Sequence, residues 1–161
     1  MKRIIIDTSV YEFMLKYVDK DMLKGIIIRK EIREIPKNIR EGIDGRIRSL
    51  RNMLLILYDT TVGKHNYKAT LQMVEFADKY FNTYRTLGGN AQKKEIINDF
   101  IIVACASLHN LDVVVSEDIK TMLSDSAIKS YKVVNDLYGF KTPNFIRFND
   151  FRNKLRGGRF D

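Results

Sequence analysis

Short apolar runs separated by long helix-forming stretches are the sequence feature that most limits how this chain of 161 residues can fold. Four runs have the character of β-strands and are bounded by polar residues: Ile4–Ile6, Val113–Val115, Tyr131–Val134 and Phe145–Phe148. A long stretch rich in helix formers separates the first two, and strand and helix alternate afterwards. This order predicts an α/β fold with a largely parallel sheet.

Apolar residues at helical spacing predict the helices and their buried faces. Three such stripes are Val10-Phe13-Met14-Tyr17, Leu50-Leu54-Leu57-Tyr58 and Leu71-Val74-Phe76-Phe81. After a break at Gly88-Gly89-Asn90, we expect further helices from about Ile96 to His109 and over Ile119–Leu123.

One domain over residues 1–161 is expected, with a helical elaboration at about 37–92 and a basic, fraying C-terminal tail at about 151–161. The single cysteine, Cys105, lies in an apolar segment, which indicates a buried thiol, no intramolecular disulfide and a reducing compartment. The apolar run Ile4–Ile6 is too short for a signal peptide or a membrane span. We therefore expect a cytoplasmic protein with no membrane partner.

The charge balance favours a polyanionic partner. The chain has 28 Lys and Arg residues against 20 Asp and Glu, a formal net charge of +8. Nucleic acid is the partner that such a charge most directly suggests, because basic side chains release counterions from phosphates. Binding to acidic lipids and simple solubility are the alternatives.

Acidic residues follow two of the predicted strands. Asp7 comes directly after the first apolar run, and Asp118 belongs to Ser116-Glu117-Asp118, which follows Val113–Val115. Asp99 begins an apolar helix that leads into the same second strand. Ligands bind at the carboxyl edge of parallel sheets, so these three aspartates are predicted to meet there. Helix capping is the alternative for each of them.

Several carboxylates at one point repel each other, and a hard cation offsets that repulsion. Oxygen ligands suit Mg²⁺ or Mn²⁺. Glu31 and Glu34 are further candidates, although the alternation of Ile and charge around them allows either a strand or a helix end with a solvated face. One cysteine and two separated histidines, His65 and His109, do not form a zinc site.

Four segments in this order, IIIDTSVY, IIRKEIREIPK, NDFIIVACASLHNLDVVVSEDIKTM and TPNFIRF, resemble the PIN-domain family, especially its predicted archaeal ribonucleases. The resemblance implies a PIN-like three-layer fold, with a largely parallel central sheet flanked by helices. It also implies a Mg²⁺- or Mn²⁺-dependent endoribonuclease that cleaves RNA phosphodiester bonds. The implied catalytic and metal-binding residues are Asp7, Glu31, Asp99 and Asp118, with Glu34 as the alternative glutamate.

The supporting residues expected around these acids are Ser116, Thr8 and Asn98. Single-stranded RNA is the substrate that the resemblance implies, and the candidates for contacts with it are Arg29, Lys30, Lys93, Lys94 and Lys120. Exposed tyrosines such as Tyr84 or Tyr138 could stack on bases. The alternative is that these are ordinary surface cations and packing tyrosines.

Many relatives of this kind are toxins neutralised by an antitoxin, so an antitoxin protein and a homodimer are the protein partners considered. The chain departs from compact toxins in the long stretch between Glu31 and Asp99, whose helices would cover an antitoxin surface or serve another partner. One rival function is a catalytically weak RNA-binding PIN module. Another is a haloacid-dehalogenase-like phosphatase, which needs a second aspartate where this chain has Ser9.

Overall fold

A computed structural model describes residues 3–16, 32–33, 59 and 66–157, and for residues 12, 14–16 and 32–33 it describes the backbone alone. The elements run β1 (Ile4–Ile6), α1 (Thr8–Lys16), β2 (Ile32–Arg33), α2 (Leu71–Thr86), α3 (Lys93–Leu108), β3 (Val113–Val115), α4 (Asp125–Tyr138), β4 (Asn144–Ile146) and α5 (Phe148–Arg156).

The described strands form one sheet in the order β2-β1-β3-β4, and every pairing in it is parallel. In the register of the two central strands, Ile4 faces Val113 and Ile6 faces Val115. All six residues of β1 and β3 are buried, as continuous apolar runs are when helices cover a parallel sheet. The predicted α/β class and parallel sheet are thereby confirmed.

Helix α3 passes through the core and leads into β3. A reciprocal capping box between Gln92 and Glu95 begins it, so the helix begins three residues before the predicted start at about Ile96. Burial raises the pKa of the Cys105 thiol in this helix to about 12. The expectation of a buried, unreactive thiol agrees with this environment.

A buried polar network joins α2, α3 and α4. The Tyr80 hydroxyl donates to Asn135 Oδ1 at 2.6 Å, and Asn135 Nδ2 donates to Ser107 Oγ and Thr142 Oγ1, both at 3.0 Å. Because buried polar atoms without partners are costly, these bonds restrict how the three helices can pack on one another. They hold α3, the helix that carries Asp99, in one position.

Several predicted elements differ from the observed ones. Tyr131–Val134 belongs to α4, because Ala127, Tyr131 and Val134 form a buried stripe at helical spacing. Ile119–Leu123 forms turns, and the next helix begins only at Asp125. The predicted strand Phe145–Phe148 ends at Ile146, and Phe148 begins α5.

Two further expectations are corrected on the helices. In α2 the predicted stripe is rotated, since Leu71 is 74% exposed and the buried face consists of Met73, Phe76, Ala77, Tyr80 and Tyr84. The tail does not fray over residues 151–156, because Phe151 is buried in α5. The predicted helix at Leu50–Tyr58 lies outside the described residues, as does about half of the proposed elaboration. None of the described helices is long and apolar enough to cross a membrane.

Candidate metal site at the carboxyl edge of the sheet

Asp7 lies among hydroxyl groups where β1 ends. Its Oδ2 accepts hydrogen bonds from Ser9 Oγ at 2.5 Å and from Ser116 Oγ at 2.9 Å. The Asp7 backbone N–H donates to the Val115 carbonyl oxygen at 2.9 Å, so the ladder between β1 and β3 continues to this point. The Ser9 backbone N–H also donates to the same oxygen, at 3.4 Å, so Asp7 caps the start of α1 in part, although the bonds from the two serine hydroxyls are shorter.

Asp118 lies in the loop that leaves β3. Its Oδ1 accepts from the backbone N–H groups of Lys120 and Thr121, at 3.1 and 2.9 Å, and so closes the turn that follows. Its Oδ2 is bonded to the Thr121 hydroxyl at 2.5 Å. One oxygen of Asp118 therefore has a structural role and the other faces the site.

Asp99 reaches the same hydroxyl from α3. Thr121 Oγ1 lies 2.6 Å from Asp99 Oδ2 as well as 2.5 Å from Asp118 Oδ2. The two carboxyl oxygens are consequently at most about 5 Å apart. Asp99 is the seventh residue of α3 and does not cap it, since Gln92 and Glu95 perform that role.

The three aspartates interact electrostatically. Burial raises the pKa of Asp99 to about 8, and the charges of Asp7 and Asp118 contribute to the rise. The hydrogen bond from Thr121 acts in the opposite direction. Burial also raises the pKa of Asp7, although hydroxyl and backbone hydrogen bonds oppose it. The Tyr131 hydroxyl has a raised pKa, mainly through burial and then through the charge of Asp99. Ionising all three aspartates at once is therefore costly at this edge.

The single hydroxyl proton of Thr121 cannot serve both Asp99 and Asp118 at the same time. A hydroxyl carries one proton and can donate it to one carboxylate only. With Thr121 Oγ1 donating to Asp118, the contact to Asp99 is a hydrogen bond only when Asp99 itself is protonated and donates. This geometry agrees with a raised pKa at Asp99.

The carboxylates are directed at hydroxyl groups rather than at one common point. Within the part of the chain that the structure describes, no three His, Cys, Asp or Glu side chains form a group that could hold one metal ion. Two of the acids come close to such an arrangement. Opposite oxygen ligands of an octahedral Mg²⁺ lie about 4 Å apart, and Asp99 Oδ2 and Asp118 Oδ2 are at most about 5 Å apart. The donor set is entirely oxygen and fits a hard cation.

The glutamate of the site cannot be located, because Glu31 and Glu34 both lie outside the described residues. Between them, Ile32 and Arg33 form β2, with Ile32 facing Ile4 in a parallel pairing. Strand β2 thus points toward the same edge of the sheet as β1.

The supporting residues are partly those that the sequence indicated. Ser116 is buried and contacts Asp7, and its hydroxyl also accepts the Asp118 backbone N–H at 3.1 Å. Asn98 is exposed, and Thr8 contributes its backbone to Asp7. Sequence reasoning missed Ser9 and Thr121 as contacts of the acids. Their spacing, two residues after Asp7 and three after Asp118, is the signal that could have found them.

Glu117, between Ser116 and Asp118, has a structural role. Its side chain is 7% exposed and accepts hydrogen bonds from the Arg147 guanidinium, the closest at 2.6 Å. Its other oxygen accepts the Phe148 backbone N–H at 2.7 Å, at the start of α5. Glu117 thereby connects the acidic loop to the end of β4 and to α5.

The candidates for RNA contact have different environments. Arg29 and Lys30 lie outside the described residues, whereas Lys94 and Lys120 are exposed. Lys93 is paired with Asp78 at 2.8 Å. Of the two tyrosines considered for stacking, Tyr84 is 2% exposed and packs in the core, so that prediction is wrong, and Tyr138 is 48% exposed. His109 stacks on the Tyr67 ring with centroids 3.9 Å apart, and His65 lies outside the described residues.

Comparison of the chain with models of protein families, with curated proteins and with solved structures finds no match. The geometry of the acidic edge is therefore the principal basis for a functional hypothesis.

Proposed function

We propose that this chain is a Mg²⁺- or Mn²⁺-dependent ribonuclease with a PIN-like fold. The observation that carries the proposal is the meeting of Asp7, Asp99 and Asp118 at the carboxyl edge of a parallel sheet, from three separate elements. Capping alone does not require three acids to meet, and their mutual repulsion is the cost that a bound cation removes. The net charge of +8 suits a polyanionic substrate.

Asp99 and Asp118 would bind the cation directly, and Asp7 would bind it directly or through water. The proposed glutamate, Glu31 or Glu34, would complete the set. A bound cation of this kind lowers the pKa of water and stabilises charge on an attacked phosphate. Ser9 and Ser116 orient Asp7 by their hydrogen bonds.

The Thr121 hydroxyl lies between Asp99 and Asp118, the two acids whose hydrogen bonds would change most when a cation binds. When the proton on Asp99 leaves, the hydroxyl retains a single acceptor and the other carboxylate is available to a cation. Ion binding and release of this proton are therefore coupled, which makes the affinity for Mn²⁺ rise with pH.

A second candidate is an RNA-binding module of the same fold that does not cleave. The observation that favours it is the engagement of each carboxylate with hydroxyl groups, and the lack of a group of three ligands in the described residues. The two candidates differ in one respect only, which is metal-dependent cleavage.

The experiment compares wild-type protein, Asp99→Asn and Asp125→Asn in the cleavage of single-stranded RNA with Mn²⁺ or with EDTA. Asp125 is a matched control, because it is an exposed acid in the first turn of α4 and is not one of the two acids whose charges raise the pKa of Asp99. We expect cleavage by the wild type and by Asp125→Asn, loss of cleavage in Asp99→Asn, and none in EDTA. Equal cleavage by all three proteins would contradict the proposal. RNA binding without any wild-type cleavage would select the second candidate.

A further inference from the structure

A groove of about 390 Å³ opens between α4 and β4, next to the acidic edge. Strand β4 is the last strand of the described sheet, so the groove lies along an edge of that sheet. The residues that matter for its chemistry are Leu123, Ile128, Lys132, Pro143, Phe145 and Arg147. Its volume lies within the range of about 300–1,000 Å³ that is usual for sites binding small ligands.

Both walls of the groove are bonded to the loop that carries Asp118. On one side the Leu123 backbone N–H donates to the Asp118 carbonyl oxygen at 2.9 Å. On the other side the Ile146 carbonyl oxygen accepts the Ser116 backbone N–H at 3.1 Å. A chain lying in the groove would therefore continue directly to the acidic edge.

An aromatic ring forms part of the groove. Phe145 is partly exposed and stacks on the buried Tyr131, with ring centroids 5.3 Å apart and an interplanar angle of 25°. Tyr131 is fully buried, and its hydroxyl donates at 3.1 Å to the Met122 carbonyl oxygen in the turns that follow Asp118. Phe145 is thus supported by the core on one face while it lines the groove, which is the arrangement of a stacking platform.

The charge along the groove is positive. Lys132, exposed on α4, supplies this charge, because the ion pair with Glu117 offsets the charge of Arg147 at the other side. Of the described residues that line the groove, none is acidic. Apolar and aromatic walls with cations at the margin suit a nucleotide, which has a flat base and a charged phosphate.

We propose that this groove binds one nucleotide of a single-stranded RNA, adjacent to the phosphate held at the acidic edge. The base stacks on Phe145 and a phosphate lies near Lys132. The inference rests on the proposed function, since it assigns the path of the RNA leading to the same site. A second copy of this chain is a poorer occupant, because it would bring another net charge of +8 to a positive groove.

The test measures binding of a fluorescein-labelled oligouridine of about ten nucleotides, within the usual site size for such grooves, by fluorescence anisotropy in EDTA. Lys132→Glu is compared with Lys129→Glu, because both lysines are exposed on α4 and Lys129 does not line the groove. We expect Lys132→Glu to weaken binding about fivefold or more beyond the effect of the control. An oligonucleotide with 5-iodouracil should form photo-crosslinks to Phe145 in the wild-type protein, identified by mass spectrometry.

The outcomes separate this inference from the proposed function. Equal affinities of the two variants, together with crosslinks elsewhere, would overturn the groove assignment even if the wild type cleaves RNA with Mn²⁺. A wild-type protein that neither binds nor cleaves RNA would remove both proposals. A dimer that dissociates on Lys132→Glu, with RNA affinity unchanged, would assign the groove to a second copy and overturn the RNA path.

Discussion

Replacing Asp99 by Asn should stabilise the metal-free protein by an amount that grows with pH. Burial and the charges of Asp7 and Asp118 raise the pKa of Asp99 from 3.8 to about 8. Between these values the folded protein retains a proton that the unfolded chain releases. The contribution of Asp99 to stability is therefore full below about pH 4 and is lost as the pH rises toward about 8.

The magnitude follows from the two pKa values. The free energy of unfolding falls by about 1.36 kcal/mol for each pH unit between them, or about 4 kcal/mol from about pH 4 to about pH 7. Because Asp99 is only partly shielded from water, we expect a loss of about 2–3 kcal/mol. Asn avoids this loss because it does not titrate, and its amide can still form a hydrogen bond with Thr121 Oγ1, which lies 2.6 Å from Asp99 Oδ2 in the wild type.

The assay is urea unfolding in EDTA at a series of pH values from about 4 to about 8. Wild type and Asp99→Asn should have similar stabilities at the acidic end and diverge steadily above it, whereas Asp125→Asn should show no such gain. With Mn²⁺ present the order should reverse, because the ion stabilises only a protein that binds it. Parallel curves for wild type and Asp99→Asn over the whole range would refute the reasoning.

Three further predictions can be tested separately. Thr121→Val should lower the affinity for Mn²⁺ about ten- to hundredfold, as is usual for residues that orient metal ligands, whereas Thr121→Ser should retain it. Calorimetry at neutral pH measures both, and equal affinities of the two variants would exclude an orienting role for Thr121. Gly89→Ala should lower the free energy of unfolding by about 1–3 kcal/mol in urea titrations, because a Cβ atom there would lie 2.2 Å from the Tyr84 ring; unchanged stability would show that the ring can move away. Because β2 runs toward the acidic edge, Glu34→Gln should reduce Mn²⁺-dependent cleavage more than Glu31→Gln does, and the opposite order would favour Glu31, the glutamate that the resemblance implies.

The parts of the fold that the sequence predicted best are those in which composition and burial agree. The runs Ile4–Ile6 and Val113–Val115 are apolar throughout, and a fully buried parallel strand needs such a run. Tyr131–Val134 is interrupted by Lys132, and its four residues are too few to separate a strand from one turn of a helix. The helical period becomes visible when the buried Ala127, one turn earlier, is taken together with Tyr131 and Val134.

The candidate site was predictable as a position and not as a set of contacts. Strand ends placed Asp7 and Asp118 at one edge, and the helix leading into β3 placed Asp99 near them. Thr121 can contact both Asp99 and Asp118 because the chain forms turns after Asp118, whereas the sequence predicted a helix there. Local propensity does not distinguish these alternatives, since an aspartate can begin a helix or close a turn equally well.

The parallel pairing of β1 with β3 has a consequence for synthesis of the protein. The partners in this pairing are separated by 109 residues, as are Asp7 and Ser116. At about 5–20 residues per second, the first strand leaves the ribosome about 5–20 seconds before its neighbour exists. Until then Ile4–Ile6 has β2 as a possible partner but lacks its neighbour on the other side, and Asp7 has neither Ser116 nor Asp118 beside it. A nascent chain therefore cannot assemble the acidic edge before Asp118 has been synthesised.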